Sequence, residues 1–154
     1  MVTIQTIENI KLGSRITFYN GIYAIIFGLF SILFYNTLML ANFRAIDSVW
    51  QVFTKYNPEI SSLFFNLALA KAFLLISMGL AIMYLSSYIL KKKNKSAWVM
   101  LFIIGIIFWA GLLTTEIFNK NVYTITISFI GWISFVIGML IPISYYTQKS
   151  YEEY

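Results

Sequence analysis

Lys71 and Glu116 are the two ionisable residues set within long apolar runs of this 154-residue chain. An ionisable group in hydrocarbon is costly unless it meets a partner, a water-filled cavity or the interface. Lys71 lies about 12 Å of helix rise past Leu63, where the apolar run begins. Helical side chains lean toward the N-terminus of their own helix. If the second and third apolar runs are antiparallel helices, Lys71 and Glu116 therefore lean toward each other's depth. Asn36, Asn66, Thr114, Thr115 and Thr124 belong to the same half of the pattern. Together with Trp109 they predict an intramembrane polar site, a pocket floored by Lys71 and Trp109. Such a site could hold a small molecule, a lipid or an ion. The same residues also fit a structural ion pair, a snorkelling lysine or a contact to another subunit.

The rest of the reactive inventory is sparse. The chain has no cysteine and no histidine. That excludes thiol nucleophiles, disulfides, Fe–S ligation, His-ligated haem and the usual zinc sites. Asp47, Tyr56 and Glu59 have no nucleophile or metal-ligand set beside them. The expectation is a non-enzymatic protein with no catalytic residues, no metal and no cofactor.

The elements that must position Lys71 and Glu116 are four apolar stretches, about 16–40, 63–90, 97–118 and 122–146. Each exceeds or approaches the ~20 helical residues that cross a bilayer core of about 30 Å. Hydrophobic residues make up 60% of the chain and charged residues 11%, which leaves too little polar sequence for a soluble domain. The expected fold class is all-α: an integral membrane four-helix bundle forming a single membrane domain over 1–154. The first stretch is too long for the h-region of a signal peptide and reads as retained.

The net charge of +5 is concentrated in Lys91-Lys92-Lys93-Asn94-Lys95, between the second and third stretches. Lys11, Arg15 and Lys149 lie on the same side; Arg44, Lys55 and Lys120 lie on the other. By the positive-inside rule both termini and the Lys91–Lys95 loop are cytoplasmic, in a multi-pass protein of the cell membrane. Aromatic residues mark the boundaries: Phe18, Tyr19, Tyr88, Trp98, Tyr145 and Tyr146 inside, and Tyr35, Phe118 and Tyr123 outside.

In the outer loop Phe43, Ile46, Val49, Trp50, Phe53 and Tyr56 recur at three- and four-residue spacing. This predicts a short amphipathic helix between helices 1 and 2, lying on the outer leaflet with Trp50 as its anchor. Asn57-Pro58-Glu59 reads as the start of the next helix. Small residues line three stretches: Gly21, Ala24, Gly28 and Ser31; Ala68, Ala72 and Gly79; Gly131, Ser134 and Gly138. In lipid such stripes allow close backbone approach. On the third stretch Trp98, Phe102, Gly105, Trp109, Leu112 and Glu116 form one face.

Several four-helix membrane families fail on specific residues. Vitamin K epoxide reductase-type enzymes, claudins and tetraspanins need cysteines, and small multidrug transporters need a glutamate in the first helix. The general layout resembles the DoxX-like and other small four-helix membrane proteins of prokaryotes. Two functions follow from the residues: an accessory or scaffold subunit, or a small-molecule, lipid or ion binder or carrier using the polar pocket. The partners expected are the lipid bilayer and either a membrane-protein partner or a homo-oligomer, with no nucleic acid.

Overall fold

The computed structural model describes residues 4–45, 49–92 and 94–147. They form α1 (Ile4–Leu33), α2 (Tyr35–Ala45), α3 (Trp50–Tyr56), α4 (Pro58–Lys92), α5 (Lys95–Phe118), α6 (Val122–Leu140) and α7 (Ile143–Thr147). The fold is all-α. Four helical stretches are long and apolar enough to cross a membrane: Glu8–Leu33, Pro58–Tyr88, Lys95–Phe118 and Val122–Leu140. The sequence readings on Ile46, Asp47, Lys93 and Lys149 lie outside the described residues.

Several boundaries follow from local chemistry. The α4 helix starts at Pro58, as expected, with Glu59 in its first turn; proline suits a first turn because its missing N–H would have no helical partner there. At 35 residues it is about 52 Å long. Asn94 caps α5 by accepting from the Ala97 amide at 3.1 Å. Asn121 caps α6 by accepting from the Tyr123 amide at 3.1 Å. Between α5 and α6 the chain reverses through Lys120, at φ 54°.

Several expectations need correction. The first spanning stretch is Glu8–Leu33 rather than 16–40. Ser14, Thr17 and Asn20, which dilute the apolar signal in sequence, are buried and hydrogen-bonded within the protein. The helix can therefore begin earlier, and it is interrupted at Phe34 before α2. The fourth stretch ends at Leu140 instead of running to 146, because Pro142 lacks an amide hydrogen to continue the ladder.

The outer-loop helix is not one continuous amphipathic helix. Helix α2 ends at Ala45, Val49 is extended and 54% exposed, and α3 is a separate short element. Trp50 is buried rather than standing free as an anchor. Its ring lies 4.8 Å from that of Phe43 and meets Tyr35 and Phe64 edge-on at 6.1 and 6.3 Å. An aromatic lid thus closes over the N-terminal end of α4. At the opposite end Trp98 and Tyr146 are also buried, stacked at 5.0 Å, so they pack within the bundle instead of marking an interface.

Helix α1 is the centre of the packing. It lies along α4 and along α6, α5 packs on α6, and α4 and α5 touch only sparsely. The order around the bundle is therefore α4–α1–α6–α5, with α4 and α5 as facing edges. Close approach at the small residues sets this order. A Cβ added at Gly28 would lie 2.8 Å from the Ala72 carbonyl oxygen, and one at Gly79 would lie 2.6 Å from that of Gly21. On the other side the Phe135 ring occupies the space beside Gly105, and the Trp109 ring fills that beside Gly131.

These contacts generate a test in delipidated detergent. Gly28→Leu and Gly79→Leu each drive a side chain into backbone and should lower stability by about 1–3 kcal/mol. Gly111→Leu is the matched control, since an added Cβ there meets nothing within 4 Å. It should leave the thermal midpoint unchanged or slightly raised. Equal losses at all three positions would refute the α1–α4 close approach.

Candidate functional site

Asn20 is buried in the bundle, at 2% exposure, with a partner for both ends of its amide. Its carboxamide nitrogen donates to the Gly131 carbonyl at 2.7 Å and to the Ser134 hydroxyl at 2.8 Å. Its oxygen accepts from the Trp109 indole N–H at 3.0 Å. One side chain from α1 thereby ties α5 and α6 together. Nearby, the Tyr23 hydroxyl donates to the Ile127 carbonyl at 2.9 Å. Trp109 is wholly buried in this network.

Closer to the lid, Lys71 of α4 donates to Glu116 Oε1 of α5. Glu116 is 1% exposed and Lys71 35% exposed. The pair therefore has a buried carboxylate and an ammonium that remains open on one side. The Lys71 nitrogen also lies 5.9 Å from the centroid of the Phe27 ring, within cation–π range. An ammonium carries three N–H donors; the bond to Glu116 takes one of them. The pair bridges two long helices that otherwise touch only sparsely.

Lys71 lines two cavities. The larger, about 530 Å³, lies at the lid end between α1, α2, α4, α5 and the α5–α6 turn. Its walls are largely apolar, with Leu38, Met39, Phe43, Phe64, Leu67 and Phe118 prominent. Lys71, Asn42, Asn119 and Thr115 supply polar groups, and Glu116 and Tyr35 stand behind the wall, the Glu116 side chain being 1% exposed. Asn42 accepts from the Asn121 side-chain nitrogen at 2.7 Å, which fastens α2 to the start of α6. The buried Tyr35 hydroxyl has no hydrogen-bond partner among the described residues. The second cavity, about 420 Å³, is the groove between α4 and α5, where Lys71 and Thr115 face Leu74, Leu75, Phe108, Gly111 and Leu112.

Of the residues singled out in the sequence, the structure brings Lys71, Glu116 and Thr115 to one site, with Thr124 in the same wall. Asn36 and Asn66 are exposed and line neither cavity. They occupy the right depth but turn to other helix faces. Trp109 is not the floor of the pocket, because its indole N–H is drawn inward to Asn20. Thr114 is exposed and donates to the Ala110 carbonyl of its own helix at 2.8 Å. Asn20, Asn42 and Tyr35 were not anticipated. For Asn20 a signal existed: an amide side chain beside Gly21, one turn before Ala24, on a small-residue stripe. For Asn42 and Tyr35 there was none, because their placement depends on the break at Phe34.

The chain matches no family model, no curated protein and no solved structure.

The ion pair itself can be tested by a mutant cycle. Removing one partner leaves the other charged group without its partner, whereas removing both does not. Lys71→Met and Glu116→Gln should each lower stability by about 1–3 kcal/mol, below the ~3–5 kcal/mol of a fully buried pair because the ammonium is partly open. The double variant should lose clearly less than their sum. Strict additivity in the unfolding midpoints would show that the two groups are not coupled.

Proposed function

We propose that this chain is a non-enzymatic multi-pass membrane protein that binds an amphiphilic small molecule or lipid in the lid-end cavity. The single observation that carries this reading is the open side of Lys71. Its side chain is 35% exposed and faces about 530 Å³ of largely apolar space. That volume lies in the range of small-molecule sites, which combine apolar walls with a few placed polar groups. Tyr35 lines the same wall, and its buried hydroxyl has no partner among the described residues.

The test is retention of a bound species by protein purified in mild detergent, read by native mass spectrometry. Wild-type protein should keep one small amphiphile. Ala68→Trp, a partly buried position in the cavity wall, should lose it with its fold intact by circular dichroism. Retention unchanged in Ala68→Trp would remove the cavity as a site.

The second reading, an accessory or scaffold subunit, is favoured by the near-complete burial of Glu116 against Lys71. Under that reading the same preparation keeps a protein partner or a second copy, and Ala68→Trp changes nothing in the small-molecule spectrum.

The orientation proposed is both termini cytoplasmic, with the lid and the cavity at the outer face of the cell membrane. The Lys/Arg asymmetry of the connections supports it. Single cysteines at Lys55 and Ser96, both exposed and at opposite ends of the bundle, give the check in whole cells. Lys55→Cys should react with an impermeant maleimide from outside and Ser96→Cys only after permeabilisation. The reverse pattern would invert the topology.

A further inference from the structure

The lid-end cavity and the α4–α5 groove are two separate spaces that share Lys71, Thr115 and Asn119 in their walls. The two spaces meet at these residues, with Lys71 in both walls. The groove exists because α4 and α5 are the edges of the packing order and barely touch. Its walls below Lys71 are apolar, and one of them is Gly111, which leaves open space where a side chain would stand. An apolar slot opening sideways, with a hydrogen-bond donor at its head and a partly polar chamber above, has the layout of a lipid: chain, linkage, headgroup.

The charge balance narrows the class. Lys71 and Glu116 together are neutral, and the carboxylate is inaccessible. What a ligand meets is an ammonium whose charge is already compensated, with N–H donors to spare. Such a group suits a neutral oxygen acceptor better than a second full anion, which would leave net negative charge in a poorly solvated place. Ester carbonyls are neutral acceptors, and in a diacyl lipid they stand between the headgroup and the chains.

We propose that the α4–α5 groove seats one acyl chain of a zwitterionic bilayer phospholipid, with an ester carbonyl accepting from Lys71 and the headgroup in the lid-end cavity. The lipid enters sideways, between the two edge helices. This rests on the lid-end cavity being a binding site and adds the ligand class and the route.

The experiment adds palmitoyl-oleoyl phosphatidylethanolamine, or its diether analogue without ester carbonyls, to delipidated full-length protein in detergent. Retained lipid is counted by native mass spectrometry. Wild-type protein should hold one diester lipid and hold the diether analogue roughly tenfold less, the loss expected for one hydrogen bond to a charged group. Lys71→Met should bind both lipids equally and weakly. Gly111→Leu, which fills the groove from a position outside the lid-end cavity wall, should lose both. Two results overturn the proposal: Gly111→Leu retaining lipid like wild type, or no preference for the diester. If Ala68→Trp abolishes retention while Gly111→Leu does not, the cavity is a site but the groove is not its route. If neither substitution matters, the binding reading itself has failed.

Discussion

A polar side chain buried among apolar helices has no water to fall back on, and burying it is costly unless the protein supplies its partners. Asn20 meets that constraint with three partners on two other helices, and much of the arrangement follows from it. To reach the Gly131 carbonyl, the α1 side chain needs α6 close by. To accept from Trp109, it needs that ring turned inward across Gly131, where any larger residue would collide with it. The hydrogen bonds and the missing side chain are parts of one solution. On the other flank of α1, Gly21 and Gly28 lie against Gly79 and Ala72. Ser14 adds a hydroxyl donated across to the Ser86 carbonyl at 2.8 Å.

A helix held tightly on both flanks leaves its neighbours on the outside. Helix α4 is fixed through α1, and α5 is fixed through α6 and Asn20, so nothing in the main packing draws α4 and α5 together. Their contact at the lid end rests on Lys71 and Glu116. The separation of the edge helices makes room for the groove, and the aromatic lid of Trp50, Phe43, Phe53 and Phe64 rests beside the chamber above it. Phe43 and Phe64 belong both to the lid and to the cavity wall. Packing and cavity are therefore one set of side chains seen from two sides.

The fold class could be read from the sequence because four apolar stretches of spanning length admit few other arrangements. The pairing of Lys71 with Glu116 was also legible, since depth and side-chain lean are simple functions of residue number on two antiparallel helices. Facing was harder. Asn36 and Asn66 share the depth of the site but not its azimuth, and azimuth depends on which neighbours a helix has. The order α4–α1–α6–α5 comes from tertiary contacts, which the period of 3.6 does not encode. The break at Phe34 and the separation of α2 from α3 were illegible for a related reason. The spacing of Phe43, Trp50 and Phe53 fits one amphipathic helix as well as two short ones folded into a lid, and burial of Trp50 between rings decides for the second. The stop of the fourth helix before Pro142 was hidden in the same way, because the apolar run continues past the proline to Tyr146.

The ion pair illustrates why stability and function place different demands on one interaction. As a source of stability a desolvated lysine–glutamate pair is a poor choice, because two apolar residues of similar volume would hold α4 to α5 at least as well. The asymmetry of burial points to something else. Glu116 is sealed at 1% exposure and acts as a fixed counter-charge, while Lys71, at 35%, keeps access to both spaces. A sealed carboxylate neutralises the lysine without competing for its outer face and holds its long side chain in one place. The arrangement turns a flexible cation into an oriented, charge-compensated donor, the form that the proposed contact to a neutral lipid oxygen requires.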